Sequence, residues 1–341
     1  MSLRHLVWVV ALAFFQSAIG AEPVSEKKPE ELAPPAMARQ TTGFIWLDSL
    51  APGAVIRYTL DGSEPGPKAG PYLAPIFLPQ GGVLKARVVS ADRKTMSAVA
   101  QMTFQPLPGS KPRPNTVVPL TQDRDWPIYD FAKRHAALVA QATNKHPELI
   151  FIGDSITHMF GGEPHDRSQP GTNVWEKFYG NRNVLNLGFG YDFTENTLWR
   201  LLHGELEGAK AKAVVIHIGT NNAGKNTPEE IAVGIHAICD VVHRRLPQAR
   251  ILLMGIFPRG PKPDAMREKL TKINRMLAQL HGENGITYLD IGAKFLQVDG
   301  TLSKEVMFDY LHPTEQGYEI WAKAIEPYLA MWLEDSKTEV K

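Results

Sequence analysis

Leu149-Ile150-Phe151-Ile152-Gly153-Asp154-Ser155-Ile156 is the stretch on which the fold turns. Its first five residues run without a polar break, as expected of a strand covered on both faces. Gly153 ends the run, and Asp154-Ser155 follows where a helix can start. Similar runs span 184–187, 213–218, 251–256 and 286–290. Helical patterns separate them. Residues 128–144 place Phe131, Leu138 and Val139 on one face. At Thr227-Pro228-Glu229-Glu230, Thr227 can cap, Pro228 suits the first turn and Glu230 completes a capping box. Ile231, Ile235, Ile238 and Val242 then form an apolar stripe. Strands alternating with helices predict a parallel sheet covered on both sides, with ligands bound beyond the carboxyl ends of its strands.

Four motifs fall at predicted strand ends or near the C-terminus. Gly153-Asp154-Ser155-Ile156 would hold a serine at the mouth of the cleft, although Gly-Asp-Ser also makes ordinary turns. Asn186-Leu187-Gly188-Phe189-Gly190-Tyr191-Asp192 would bring glycine backbone close to a ligand, and equally suits a plain strand-to-helix turn. Gly219-Thr220-Asn221-Asn222 offers a side-chain amide donor or a simple turn. In Asp309-Tyr310-Leu311-His312-Pro313 the carboxylate can reach the imidazole within one turn, as a surface pair also would.

Taken together, the order and spacing of the four closely resemble those of the SGNH (GDSL) hydrolase family. Within it, the chain looks most like relatives of the platelet-activating-factor acetylhydrolase catalytic subunits. Leu198-Trp199-Arg200-Leu201, Pro258-Arg259-Gly260 and Met307-Phe308 extend the match, which runs from about 149 to 329. The resemblance implies a flavodoxin-like three-layer α/β fold with Ser155 as nucleophile, His312 as general base and Asp309 orienting it. It implies an oxyanion hole of the Ser155 N–H, the Tyr191 N–H and the Asn221 amide. Tyr191 stands where the family has glycine. Because the donor is a backbone N–H, tyrosine can still supply it, with its side chain along the pocket wall. Asp154, Gly188, Gly190, Asp192 and Arg259 are the further candidates for the substrate pocket. The chemistry needs no metal and no cofactor.

The N-terminal part reads differently. Arg4 and His5, the apolar run 6–15 and small residues Ala18 and Gly20 form the pattern of a signal peptide over 1–20, the run being too short to span a membrane. A Pro-, Glu- and Lys-rich leader covers 21–37. From 38 to 105 short strands predominate, at 55–60, 83–89 and 98–104, with Asp61-Gly62 as a turn, so a small β-sandwich is expected. Pro52-Gly53-Ala54, Tyr58-Thr59-Leu60-Asp61-Gly62-Ser63-Glu64-Pro65 and Leu84-Lys85-Ala86-Arg87 resemble the chitobiase C-terminal-like domain, which implies an immunoglobulin- or fibronectin-like sandwich. Such a domain contacts glycan or serves as a spacer, and no row of exposed aromatics is legible in it. Five prolines in 106–119 read as a stiff extended linker, followed by the hydrolase domain at 120–333 and a tail at 334–341.

Composition limits the remaining choices. With 37 Lys+Arg against 36 Asp+Glu the net charge is +1, which argues against nucleic acid as partner. With 43% hydrophobic residues the chain has apolar surface for a core, and one cysteine, Cys239, excludes an intramolecular disulfide framework. Cys239 reads as a buried small hydrophobe and His217 as a satisfied core histidine. His236 and His243 read as solvated surface, and His158 and His165 as candidates for the pocket wall. The expected protein is a secreted or periplasmic serine esterase removing short acyl groups, acetyl above all, from carbohydrate. No integral membrane span is expected in the mature chain. The alternatives are a lysophospholipase or thioesterase on the same triad, and a glycan-binding protein with an inactive hydrolase domain.

Overall fold

The computed structural model describes residues 32–333 except 42, 67–68, 111–112, 123–128 and 166–167. The signal peptide, most of the leader and the tail expected at 334–341 lie outside the described residues. No helix among the described residues is long and apolar enough to cross a membrane.

Six short strands form two three-stranded antiparallel sheets: β1 (Ala36–Arg39), β2 (Phe44–Asp48) and β4 (Ile76–Phe77) in one, β3 (Val55–Thr59), β5 (Gly82–Val89) and β6 (Ala100–Phe104) in the other. Ile45, Leu47, Ile56, Tyr58, Ile76, Leu84, Ala86 and Val88 fill the space between them. β1, β2 and β4 are not among the strands read from the sequence; β1 and β4 have only four and two residues. Ala36 and Met37, expected in the leader, open β1. The outer face of β2 and β4 also corrects an expectation. Phe44, Trp46 and Phe77 stand exposed there, with the Phe44 and Phe77 rings 4.9 Å apart. Phe44 and Trp46 share one face of β2 and Phe77 comes from β4, so the row is complete only when the two strands pair.

The connector is not the extended rod its prolines suggest. Residues 115–117 make a 3-10 turn, and Thr116 is fully buried. Its hydroxyl donates to the Glu230 carbonyl (2.7 Å), while Thr194 Oγ1 donates to the Thr116 carbonyl (2.9 Å).

Five parallel strands follow: β7 (Leu149–Gly153), β8 (Val184–Gly188), β9 (Ala213–His217), β10 (Arg250–Met254) and β11 (Ile286–Leu289). Their order is β8-β7-β9-β10-β11, the flavodoxin-like arrangement, with its switch point between β7 and β9. Alternate residues face opposite cores. Ile150, Ile152, Val214, Ile216 and Leu253 join the core that includes residues of α1 (Phe131–Lys145), α4 (Thr194–Arg200), α5 (Pro228–Arg245) and α6 (Ala265–Ala278). Leu149, Phe151, Val215 and Leu252 join the other, with residues of α2 (Ser155–His158), α3 (Thr172–Tyr179) and α7 (Glu315–Trp332). Each such side chain is worth about 1.5–3 kcal/mol when fully buried, so both faces must stay covered. Thr227 and Glu230 form the expected capping box on α5. Cys239 is buried, its thiol pushed up to about 12 by burial.

Candidate active site

The site lies at the carboxyl ends of β7, β8 and β9, where two glycines let α2 close down on the sheet. A Cβ on Gly153 would meet Thr157 Oγ1 at 2.1 Å and the His217 carbonyl at 2.2 Å; one on Gly188 would meet the His158 nitrogen at 2.2 Å. Asp154 caps α2 by accepting from the Ile156 N–H (3.0 Å), and Tyr318 OH donates to the Ile156 carbonyl (2.7 Å). Ser155 is thereby held at the first position of the helix, 6% exposed.

His312 arrives from the segment before α7. Its Nε2 lies 2.8 Å from Ser155 Oγ, and its Nδ1 lies 2.7 Å from Asp309 Oδ2. The other Asp309 oxygen accepts the backbone N–H groups of Leu311 (3.1 Å) and His312 (2.7 Å). Partial burial alone would raise the Asp309 carboxyl, but the His312 backbone and ring and the Leu311 N–H outweigh it and hold it below the ordinary range. Tyr310, between them, takes a left-handed φ of 61°, which turns the chain tightly enough for Asp309 to reach back. The Gly260 N–H donates to the Tyr310 carbonyl (2.9 Å) and ties this turn to the loop after β10.

Opposite, Tyr191 also has a left-handed φ, 64°, and its side chain is 42% exposed. This backbone conformation favours glycine, which accounts for the glycine the family resemblance leads one to expect there. Asn221 Nδ2 donates to the Asp192 carbonyl (2.9 Å). An amide has two N–H donors, so this contact fixes the plane of the group and leaves one donor for a ligand.

Four of the five expected pocket residues lie behind the surface rather than on it. Asp154, Gly188, Gly190 and Asp192 are buried, and Arg259 is half-buried with its guanidinium donating to Thr220 O (3.3 Å) and Oγ1 (3.2 Å). Gly188 is buried because the α2 backbone occupies the space a side chain would need. Asp192 is buried because it is the counter-ion of Arg200, which is itself fully buried. Arg200 Nε and a terminal nitrogen lie 2.8 and 2.7 Å from Asp192 Oδ2. Another terminal nitrogen contacts one Glu205 oxygen, and the other Glu205 oxygen accepts from His135 Nδ1–H at 2.9 Å. Burial works against the Arg200 charge, but Asp192 and Glu205 more than offset it, so the guanidinium is held above its ordinary value.

His158 is buried too, with the Gly190 N–H donating to its Nδ1 (3.2 Å), and burial holds it well below the usual imidazole range. His165 lies in an exposed pair with Gln169. His217 accepts from the Phe257 N–H through Nε2 (3.3 Å), while its Nδ1 has no partner among the described residues, so it is only half satisfied. Burial lowers it to about 3.

Sequence reasoning did not reach Gln122, Tyr129 or Glu205. Gln122 Nε2 donates to the Gly190 carbonyl (2.7 Å) and Asp192 Oδ1 (2.6 Å), and Tyr129 OH lies 2.8 Å from the same carbonyl. The one available signal was Arg200, a charge inside the apolar Leu198-Trp199-Arg200-Leu201, which demands buried counter-ions.

Residues 151–320 match the model of the GDSL-like Lipase/Acylhydrolase family, and residues 38–101 that of the Chitobiase/beta-hexosaminidase C-terminal domain. Platelet-activating factor acetylhydrolase IB subunit alpha1 of Homo sapiens is 37% identical over 229 residues, 67% of this chain and 92% of that protein. Subunit alpha2 of Rattus norvegicus is 36% identical over 207 residues, 60% of this chain and 86% of that protein. Among solved structures, a GDSL-like lipase from Bacteroides thetaiotaomicron is 17% identical, with 58% of this chain and 97% of that one covered at a TM-score of 0.48.

Proposed function

The chain belongs to the GDSL-like lipase/acylhydrolase family and is a carboxylic ester hydrolase, and on that premise we propose that it is an exported serine acetylesterase acting on acetylated carbohydrate. The observation that carries the reaction is the unbroken line from Ser155 Oγ through the His312 ring to Asp309, at 2.8 and 2.7 Å. Ser155 Oγ attacks the ester carbonyl while His312 Nε2 takes its proton. Asp309, held ionised, accepts from Nδ1–H, so that the nitrogen facing Ser155 is the one free to act as base. The oxyanion is met by the N–H groups of Ser155 and Tyr191 and by Asn221. The His312 proton then passes to the departing alcohol, leaving acyl-Ser155, and water repeats the sequence to release the acid.

The acetyl preference is supported by the relatives at 36–37% identity that are acetylhydrolases by name. The carbohydrate is supported by the chitobiase-like stretch and by the row of Phe44, Trp46 and Phe77, whose flat apolar rings suit the C–H faces of sugars. Export is supported by the charge, apolar run and small residues of 1–20.

The test compares the chain with its Ser155→Ala variant on p-nitrophenyl esters of increasing acyl length. Activity greatest on acetate and abolished in the variant is the expected result. A maximum at long chains would replace the acetylesterase with a lipase or thioesterase, and equal activity of the two proteins would remove the serine mechanism. Pull-down on acetylated polysaccharide, with Trp46→Ala as comparison, tests the glycan contact, and the mass of the exported protein tests cleavage after Gly20.

A further inference from the structure

The β-sandwich touches the second block of the site through two consecutive residues. Thr121 faces the sandwich and Gln122 faces the hydrolase. The Thr121 N–H donates to the Tyr58 hydroxyl (3.2 Å), and its Oγ1 lies 3.1 Å from that hydroxyl and 3.0 Å from the Pro71 carbonyl. Tyr58 is 1% exposed, in the core of the sandwich. Gly70 allows the approach, because a Cβ there would meet Thr121 Oγ1 at 2.5 Å. One residue on, Gln122 Nε2 donates to the Gly190 carbonyl (2.7 Å) and Asp192 Oδ1 (2.6 Å), which bracket Tyr191. Asp192 in turn holds Asn221 through its carbonyl (2.9 Å). Thr121 and Gln122 are both buried, at 0% and 5% exposure, so water cannot replace these bonds cheaply.

We propose that the sandwich is a positioning element for the reaction, with Tyr58, Thr121 and Gln122 setting the Gly190–Asp192 backbone, which carries the Tyr191 donor and holds the Asn221 amide. This rests on the reading of Tyr191 and Asn221 as those donors. An oxyanion donor acts only on charge that develops in the transition state. Misplacing it therefore lowers kcat and leaves KM nearly unchanged, whereas a general loss of folded protein lowers the active fraction without changing the affinity of what remains for any inhibitor.

The test uses the full chain, as wild type, Gln122→Ala, Tyr58→Phe and Ser155→Ala, on p-nitrophenyl acetate. It reads kcat, KM and affinity for a methylphosphonate-type transition-state mimic against that for product acetate. Gln122→Ala is expected to lower kcat about 10- to 100-fold and mimic affinity in parallel, with KM and acetate affinity changed less than about threefold. Tyr58→Phe, which removes one hydroxyl remote from the cleft, is expected to do the same by about three- to tenfold, and it carries the test should Gln122→Ala not fold. Folded variants with kcat and mimic affinity within twofold of wild type, alongside an inactive Ser155→Ala, would overturn the proposal and leave the serine mechanism standing. An active Ser155→Ala would remove the mechanism and the proposal with it.

Discussion

Ser155 Oγ and His312 Nε2 stand 2.8 Å apart although 157 positions of sequence separate them. The Ser155 hydroxyl alone is a poor nucleophile at neutral pH and becomes one only as His312 takes its proton, so the pair acts as a unit. Ser155→Ala and His312→Ala are each expected to lower kcat by at least about 10³-fold, and the double variant to be little worse than either. Losses that multiply in the double variant would show that the two residues act independently.

Asn221→Ala removes one oxyanion donor and is expected to cost about 10²- to 10³-fold in kcat with little change in KM. A rise in KM at constant kcat would instead mark Asn221 as a ground-state contact.

Tyr191→Gly tests whether the unusual side chain matters. The left-handed φ of 64° costs a non-glycine residue about 1–2 kcal/mol. Glycine relieves this but adds roughly 0.5–1 kcal/mol of chain entropy, so stability should change by no more than about 1 kcal/mol. Turnover should stay within about threefold, because the donor is backbone. A collapse of kcat would show that the phenol itself contacts the substrate.

Gly188→Ala places a Cβ 2.2 Å from the His158 nitrogen, where backbone rather than a movable side chain stands in the way. The expected loss is about 1–3 kcal/mol or more, measured by urea denaturation, with activity falling as α2 and Ser155 shift. Unchanged stability would mean that α2 yields at no cost.

Asp154 is fully buried, and burial pushes its carboxyl up to about 7 from an ordinary 3.8. The folded protein therefore holds a proton that the unfolded chain has already lost between those values. Stability is full below about pH 4 on this account and falls as pH rises to about 7, by an amount on the order of a few kcal/mol. Asp154→Asn keeps the cap to Ile156 and removes the titration. Its melting temperature should gain on that of wild type as pH rises from 5 to 8, and parallel curves would show that Asp154 is ionised throughout.

The parallel sheet and its five strands were legible because each is written over a few consecutive positions, whereas Ser155, Asn221, Asp309 and His312 were proposed only because four short motifs together resemble one family. An unbroken apolar run reports burial on two faces. A glycine before Asp-Ser, or an Asp three residues before a His, is compatible with a site but equally with an ordinary turn or a surface pair, so neither decides alone. The sandwich was legible at β3, β5 and β6, where a run of alternating or apolar residues stands next to a turn signal such as Asp61-Gly62.

Only the tertiary structure decided what stands behind those residues. Asp192 belongs to Arg200 rather than to the pocket because a buried guanidinium requires a counter-ion, and which carboxylate supplies it depends on how α4 packs under the β8 loop. Phe44, Trp46 and Phe77 form a row only because β2 and β4 pair. Gln122 and Asp192, 70 positions apart, meet because the connector folds onto the hydrolase instead of spanning open space. Side-chain periodicity is a property of one segment and can be read from that segment alone. Hydrogen bonds and ion pairs between segments depend on where the burial of all of them places each polar group, and no single stretch of the chain contains that information.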